Sequence, residues 1–209
     1  VYNMTQNLEY KIAENLKIEF PESAIGLIGC HSSGESNPYC EYDYLIVHDE
    51  IQKIERRLIN NNLVEIIFID KHNIQQNNDF NLILALLDIN VVSDPNWDLI
   101  SIVSNIKSNV SKYLNRFAKH SLFKSLTVMG RFNDSIEASN ILDAGFWLLS
   151  SANTFALAII ALQGKVPRGS HILHQFRTEN LSFMDNFELW SEVSGLNLAT
   201  KFSVTRRLD

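Results

Sequence analysis

Apolar residues run unbroken from Ala24 to Ile28, and the pattern resumes from Tyr42 to Val47, so both segments read as buried strands. Between them lies a small, polar loop that opens on Gly29-Cys30. Upstream, Tyr10 to Leu16 has the spacing of an amphipathic helix that breaks before Pro21. Downstream, His48 to Leu58 carries its charges on one side at helical spacing and predicts a helix. Asn60-Asn61-Asn62 is a turn signal leading into Leu63 to Ile69, a β-branched strand. A polar loop is expected from Lys71 to Asn78, then a helix from Asp79 to Leu87 and a short strand from Ile89 to Ser93, closed by Asp94-Pro95.

After Trp97 the period becomes helical and stays so. One helix is expected from Trp97 to Met129, with room for one break, and Asp134 with Glu137 has capping-box spacing for the next, which continues to Leu162. Gly164 and Pro167 end it, a further helix starts near Ser170, and Asn186 to Gly195 is a candidate for another. The change of period alone places a domain boundary near residue 100, giving units at 1–100 and 101–209.

A length of 209 residues, with 45% hydrophobic and 20% charged, suits a globular protein of one large or two small domains. No apolar run is expected to reach the ~20 residues of a membrane span, and VYNMTQNLEYK lacks the basic and apolar regions of a signal peptide, so the expected location is the cytoplasm. Val1 in place of Met and the ending Arg206-Arg207-Leu208-Asp209 point to a chain trimmed from its natural termini. Cys30 and Cys40 are the two cysteines, too few for a disulfide framework, and their spacing to His31 and His48 matches no usual zinc pattern. The formal charge of −6 argues against general nucleic-acid binding. It is unevenly spread, however: from Leu99 to Asn133 there is no Asp or Glu, while Lys107, Lys112, Arg116, Lys119, Lys124 and Arg131 all fall inside.

Chemistry concentrates in the first half. In a strand, Glu41 and Asp43 project together while Tyr42 points the other way. Two carboxylates side by side resist joint ionisation unless a cation sits between them. Glu65 is a charge inside an otherwise apolar strand and needs a partner or cation; if its strand lies beside Tyr42 to Val47, facing side chains are roughly 5 Å apart. Three hard carboxylates suit Mg²⁺, with nucleotide phosphates completing its octahedron. Asp70, of opposite parity at the strand's end, is the weaker candidate.

Gly29-Cys30, Gly34, Pro38 and Glu41-x-Asp43 before Tyr-Leu-Ile-Val resemble the signature of the DNA polymerase β-like nucleotidyltransferase superfamily. The resemblance is to its minimal and aminoglycoside-type branch, whose pattern is Gly-Ser, a loop of about ten residues, Asp-x-Asp, and a later Asp on a neighbouring strand. Cys30 stands where that family has Ser, and Glu stands for Asp at positions 41 and 65. Cysteine is a poorer donor to phosphate, which leaves more of that task to backbone N–H groups.

The resemblance implies an α+β protein, with a small mixed β-sheet nucleotidyltransferase domain followed by an all-α helical bundle that closes the cleft. It implies transfer of a nucleoside monophosphate, AMP from ATP, to a hydroxyl acceptor with pyrophosphate leaving. Glu41, Asp43 and Glu65 would be the catalytic carboxylates and the ligands of two Mg²⁺ ions, while Gly29, Cys30, Ser32 and, more weakly, Ser33 would hold the phosphates. The acceptor stays open between a small molecule, a protein and an RNA 3′ end; no membrane partner is implied, and a homo-oligomer is compatible.

On the basic helix, Lys112, Arg116, Lys119 and Lys124 lie at helical spacings that put several on one broad face. The first three are candidates for nucleotide phosphate contacts, against the plain alternative of a solvated surface. Ala144 to Arg177 resembles the HEPN-type bundles that accompany this branch, with a helix of small and aromatic residues, a Pro and a His-Leu segment. Arg168 and His174 have the spacing of HEPN ribonucleases but fall too early in the bundle, so ribonuclease chemistry is not expected. Val166 to His171 also mimics a protease-site tag, yet helical sequence on both sides marks it as native. Two rival readings remain: a nucleotide-binding regulatory or antitoxin-like module without turnover, and an RNA-binding protein using the basic helix.

Overall fold

A computed structural model describes residues 2–36, 39–48, 53–76, 79–172 and 174–175. Pro38 and the expected helix at Asn186 to Gly195 lie outside the described residues. The fold is α+β, and the chain divides into two compact units, Val1–Val110 and Ser111–Asp209.

The first unit is built on a five-stranded mixed sheet. Helix α1 (Tyr2–Glu19) precedes β1 (Ala24–Ile28), the one-turn helix α2 (Gly29–Ser33), β2 (Tyr42–Val47), β3 (Lys53–Ile59) and β4 (Asn62–Ile69). Helices α3 (Lys71–Gln76) and α4 (Phe80–Leu87), strand β5 (Asn90–Ser93) and helix α5 (Asp98–Ser108) complete it. The strand order is β3-β4-β2-β1-β5, with β2 and β4 parallel and the other neighbours antiparallel. Strand parity decides the two faces. Tyr42, Tyr44 and Ile46 of β2 join Val64, Ile66 and Phe68 of β4 on one face, under Ile12, Ala13 and Leu16 of α1. The Tyr44 hydroxyl, inside that core, donates to the Glu9 carbonyl at 3.0 Å, as a buried phenol must. On the other face Gly26 lets Ile89 and Leu99 approach the sheet so closely that a Cβ would overlap Ile89. Asp43 and Glu65 lie on this second face.

The segment expected to be a helix from His48 to Leu58 is corrected: Lys53–Ile59 is the edge strand β3, paired through a tight turn with β4. Asn60 and Asn61 both have positive φ, 52° and 62°, the type I′ geometry whose twist matches a hairpin. Asn61→Gly, which removes the Cβ penalty at such a position, is expected to raise stability by about 0.5–1 kcal/mol in urea titrations. A loss of stability would show that the Asn61 side chain contributes to the turn. The expected polar loop at Lys71 is also corrected, since Asp70 Oδ1 accepts from Asn73 N–H at 2.8 Å and starts α3. Asp70 is thereby a helix cap, and the Asp79 side chain caps α4 in the same way.

The change of period near Trp97 marks the start of α5, whose buried Leu99, Val103 and Ile106 belong to the first unit, where α5 meets β1, α3 and α4. The chain breaks at Asn109, and α6 (Val110–Glu137) carries it into the second unit. Asp134 does not start a new helix: Ala138 N–H bonds back to the Asp134 carbonyl, Ser139 takes a positive φ of 56°, and Asn140 caps α7 (Ile141–Leu162). Small side chains set the approach of these two helices, because Ser125 and Ser151 exchange hydroxyl and carbonyl hydrogen bonds at 3.0 Å inside the unit. At 22 residues α7 is long and apolar enough, by length and composition, to cross a membrane, which corrects the expectation from the sequence. Its Ala152, Ala156 and Ile160 nevertheless pack with Ile172 in the unit's own core. Gly164, at φ 79°, follows the helix end, and the Gln175 side chain ties the next turn by bonding Arg168 N–H at 3.0 Å and the Val166 carbonyl at 2.7 Å.

Candidate functional site

The register of β2 against β4 sets Asp43 directly beside Glu65, and Glu41 precedes Asp43 by the two residues that return a side chain to the same face. One carboxylate oxygen from each of the three residues lies within 4.8 Å of those of the other two. Around an octahedral Mg²⁺ with ligands at ~2.0–2.1 Å, neighbouring oxygens are roughly 3 Å apart and opposite ones roughly 4 Å, so small side-chain rotations close the set. Asp43 Oδ1 is buried and has no hydrogen-bond partner among the described residues. Burial first, and then the charges of Glu41 and Glu65, push the Asp43 carboxyl up from 3.8 to about 7. An orphaned carboxylate oxygen beside two further anions is the donor chemistry of a hard divalent cation, and these residues fit Mg²⁺.

Gly29 makes that arrangement possible. Its φ is +71°, and a Cβ built there would overlap Asp43 Oδ2 and lie 3.3 Å from Asp43 Cγ. The chain leaves β1, turns through Gly29 into α2, and ends that single helical turn at Gly34, also at positive φ. Within the turn, Ser33 Oγ donates to the Cys30 carbonyl at 3.1 Å, while Ser32 Oγ donates to the Asp88 carbonyl. Both hydroxyl hydrogens are therefore engaged by carbonyls of the protein itself. A phosphate placed at this loop would meet backbone N–H groups unless those hydroxyls rotated. Neither Cys30 nor Cys40 is in a disulfide.

Two further features escape a reading of the sequence. His31, in the middle of the turn, has its side chain only 3% exposed, with Nδ1 2.9 Å from Glu9 Oε1. Its ring stacks on Tyr42 at a centroid distance of 3.9 Å. These contacts fasten the loop to α1 and to β2. The second feature is Arg56, which β3 sets opposite Glu65 and whose Nε–H donates to Glu65 Oε2 at 2.7 Å. Its neighbour Arg57 points to the α1 face and holds Glu19 with both terminal nitrogens, at 2.6 and 2.9 Å. Arg56 thus supplies a cation at the carboxylates, from a segment whose helical periodicity hid its alternation. Had Asn60-Asn61 been taken as a two-residue hairpin turn, counting back from it would have paired Arg56 with Glu65.

Lys112, Arg116 and Lys119 lie on the exposed side of α6, in the second unit. Leu114, Phe117 and Ala118 form the buried side of the same stretch.

No family model matches the chain, and no curated protein matches it. Among solved structures it is similar to a nucleotidyltransferase-like protein from Exiguobacterium sibiricum 255-15, with a TM-score of 0.50 and 12% identity over 91% of this chain. The chain spans 66% of that protein's length. At that identity the likeness is one of fold: the chain has a nucleotidyltransferase-like fold.

Proposed function

We propose that the protein is a Mg²⁺-dependent nucleotidyltransferase that transfers AMP from ATP to a hydroxyl acceptor. The observation that carries this reading is the meeting of Glu41, Asp43 and Glu65 around an unpartnered, buried Asp43 oxygen, directly against the Gly29 turn of a nucleotidyltransferase-like fold. Glu41, Asp43 and Glu65 would hold one Mg²⁺ and Glu41 with Asp43 a second; bound there, the ions supply Lewis-acid activation of the acceptor oxygen and neutralise the triphosphate. The backbone of Gly29 and Cys30 receives the phosphates, aided by Ser32 and Ser33 where their hydroxyls turn. The acceptor hydroxyl gives its proton to solvent as its oxygen forms the new ester bond to the α-phosphorus, the α–β bridge breaks, and pyrophosphate leaves in line.

The Gly29-Cys30 to Glu41-x-Asp43 spacing further supports a place in the minimal and aminoglycoside-type branch, the Ala144 to Arg177 pattern supports a HEPN-like second unit, and a cytoplasmic setting is proposed with them. Lys112, Arg116 and Lys119 are proposed to add phosphate contacts, because three carboxylates and a triphosphate carry more negative charge than two Mg²⁺ offset. The experiment is transfer of label from α-³²P-ATP, with and without Mg²⁺. The expected result is Mg²⁺-dependent label on an acceptor, and Ala at one of the three basic positions should weaken ATP binding roughly ten- to a hundredfold at fixed salt. Unchanged affinity in all three Ala variants would reduce that face to a solvated one. Absence of any ATP·Mg²⁺ binding would remove the enzyme reading. Tight binding without transfer would favour the regulatory reading, which the engaged Ser32 and Ser33 hydroxyls support.

A further inference from the structure

We propose that Arg56 recognises the acceptor, and that the acceptor is a hydroxyl compound bearing an oxyanion, phosphate or carboxylate, close to the hydroxyl that is modified. This deepens the nucleotidyltransferase reading and rests on it.

The argument begins with what Arg56 leaves unused. Its Nε–H holds Glu65 Oε2, and its two terminal nitrogens have no partner among the described residues. A guanidinium fixed by one edge still presents a planar pair of N–H groups, the geometry that matches a carboxylate or phosphate with two parallel bonds. Glu65 therefore acts as the orienting group for Arg56, and its second oxygen takes no part in that bond.

Position gives the direction of use. The sheet order sets β1, which leads into the Gly29 turn, and β3, which carries Arg56, on opposite sides of the β2–β4 pair that holds the carboxylates. Three strand spacings separate β1 from β3, about 14 Å. A triphosphate on the Gly29 side leaves the β3 side for the incoming hydroxyl, because in-line displacement needs nucleophile and leaving group on opposite sides of the α-phosphorus.

The flanks of Arg56 point the same way. Ile54 and Leu58, two residues before and after it on the same face of β3, are 62% and 77% exposed, and Leu63, paired with Leu58, is 40% exposed. The edge strand β3 carries Lys53, Glu55, Arg56 and Arg57, but on the face it shares with Glu65 the Arg56 guanidinium is bracketed by aliphatic side chains. A ligand with an anionic group for Arg56 and a carbon skeleton for Ile54 and Leu58 complements that row. A cationic acceptor would meet the guanidinium with like charge and be rejected.

The test is an NMR titration of the backbone amide resonances, and in the wild type also the arginine Nε–H resonances, of the whole chain with glycerol 3-phosphate, glycerate and glycerol, for the wild type and Arg56→Gln, each with and without Mg²⁺ and a non-hydrolysable ATP analogue. Arg56 is largely exposed, so Gln, which keeps part of the stem, leaves the fold intact, as amide spectra will show. The wild type is expected to bind one of the two anions at least tenfold more tightly than glycerol. Arg56→Gln should lose roughly ten- to a hundredfold of that affinity while the analogue binds within twofold of wild type. The anion with the larger loss identifies the group. Equal affinity for all three probes in the wild type, or a preference retained in Arg56→Gln, overturns the proposal. The samples without nucleotide read the anion preference alone, and analogue binding reads the nucleotide site alone, so failure of one is not mistaken for failure of the other.

Discussion

Replacing Asp43 with Asn is expected to reduce nucleotidyl transfer by at least about a thousandfold while making the metal-free protein more stable at neutral pH. The two effects share one cause. Asp43 is crowded by Glu41 and Glu65, and one of its oxygens is buried without a partner, so its charge is costly until a cation arrives. Its folded-state pKa of about 7 lies above the ordinary 3.8, so the native protein holds that proton more tightly than the unfolded chain. The stabilisation is complete below pH 4 and is lost as pH rises towards 7, an effect of about 2 kcal/mol once solvent screening of a partly exposed group is discounted. Urea unfolding of the Mg²⁺-free wild type should show that decline, and Asp43→Asn should show less of it. Mg²⁺ binding must displace the same proton, so Mg²⁺ affinity of the wild type should rise with pH up to about pH 7 and then level off. Wild-type turnover by the Asn variant, or a stability profile that still declines in parallel with wild type, would refute this account of Asp43.

The strands that carry the carboxylates were legible in the sequence because each declares itself locally. Ala24 to Ile28 and Tyr42 to Val47 are bounded as observed, and Glu65 is conspicuous as a lone charge between Val64 and Ile66. Register, which decides whether Asp43 and Glu65 meet, is a property of pairing and appears only when β2 and β4 are set side by side. β3 was not legible. Ile51, Ile54 and Leu58 recur at helical intervals among Glu, Lys and Arg, all good helix formers, and only the hairpin with β4 makes Lys53 to Ile59 a strand. The misreading concealed Arg56, since a residue on a surface helix has no strand partner. Asp134 misled for the reverse reason: a capping pattern inside a longer helix is still a capping pattern, and the stop comes five residues later, at Ser139.

Gly29→Ala is expected to cost about 1–3 kcal/mol of stability and to abolish Mg²⁺ binding at the carboxylates. The backbone contribution is independent of the site: at φ +71° an L-residue with a Cβ is strained by roughly 1–2 kcal/mol, a penalty glycine does not have. The second contribution is specific. The new methyl would occupy the place of Asp43 Oδ2, and because Ile28 pairs with Asp43 in the β1–β2 ladder, the two backbones cannot simply move apart. The carboxylate must rotate away: towards the Glu41 and Glu65 anions it meets repulsion, and out of the cluster it leaves the set of oxygens that now lie within 4.8 Å of one another. Calorimetric titration with Mg²⁺ and urea unfolding together distinguish the two contributions. A control, Gly34→Ala, has a comparable φ of +75° with no atom of the described residues within 4 Å of its Cβ, so it should share the loss of stability and retain Mg²⁺ binding. Equal loss of Mg²⁺ binding in both variants would mean that loop strain, rather than the contact between Gly29 and Asp43, shapes the carboxylate cluster.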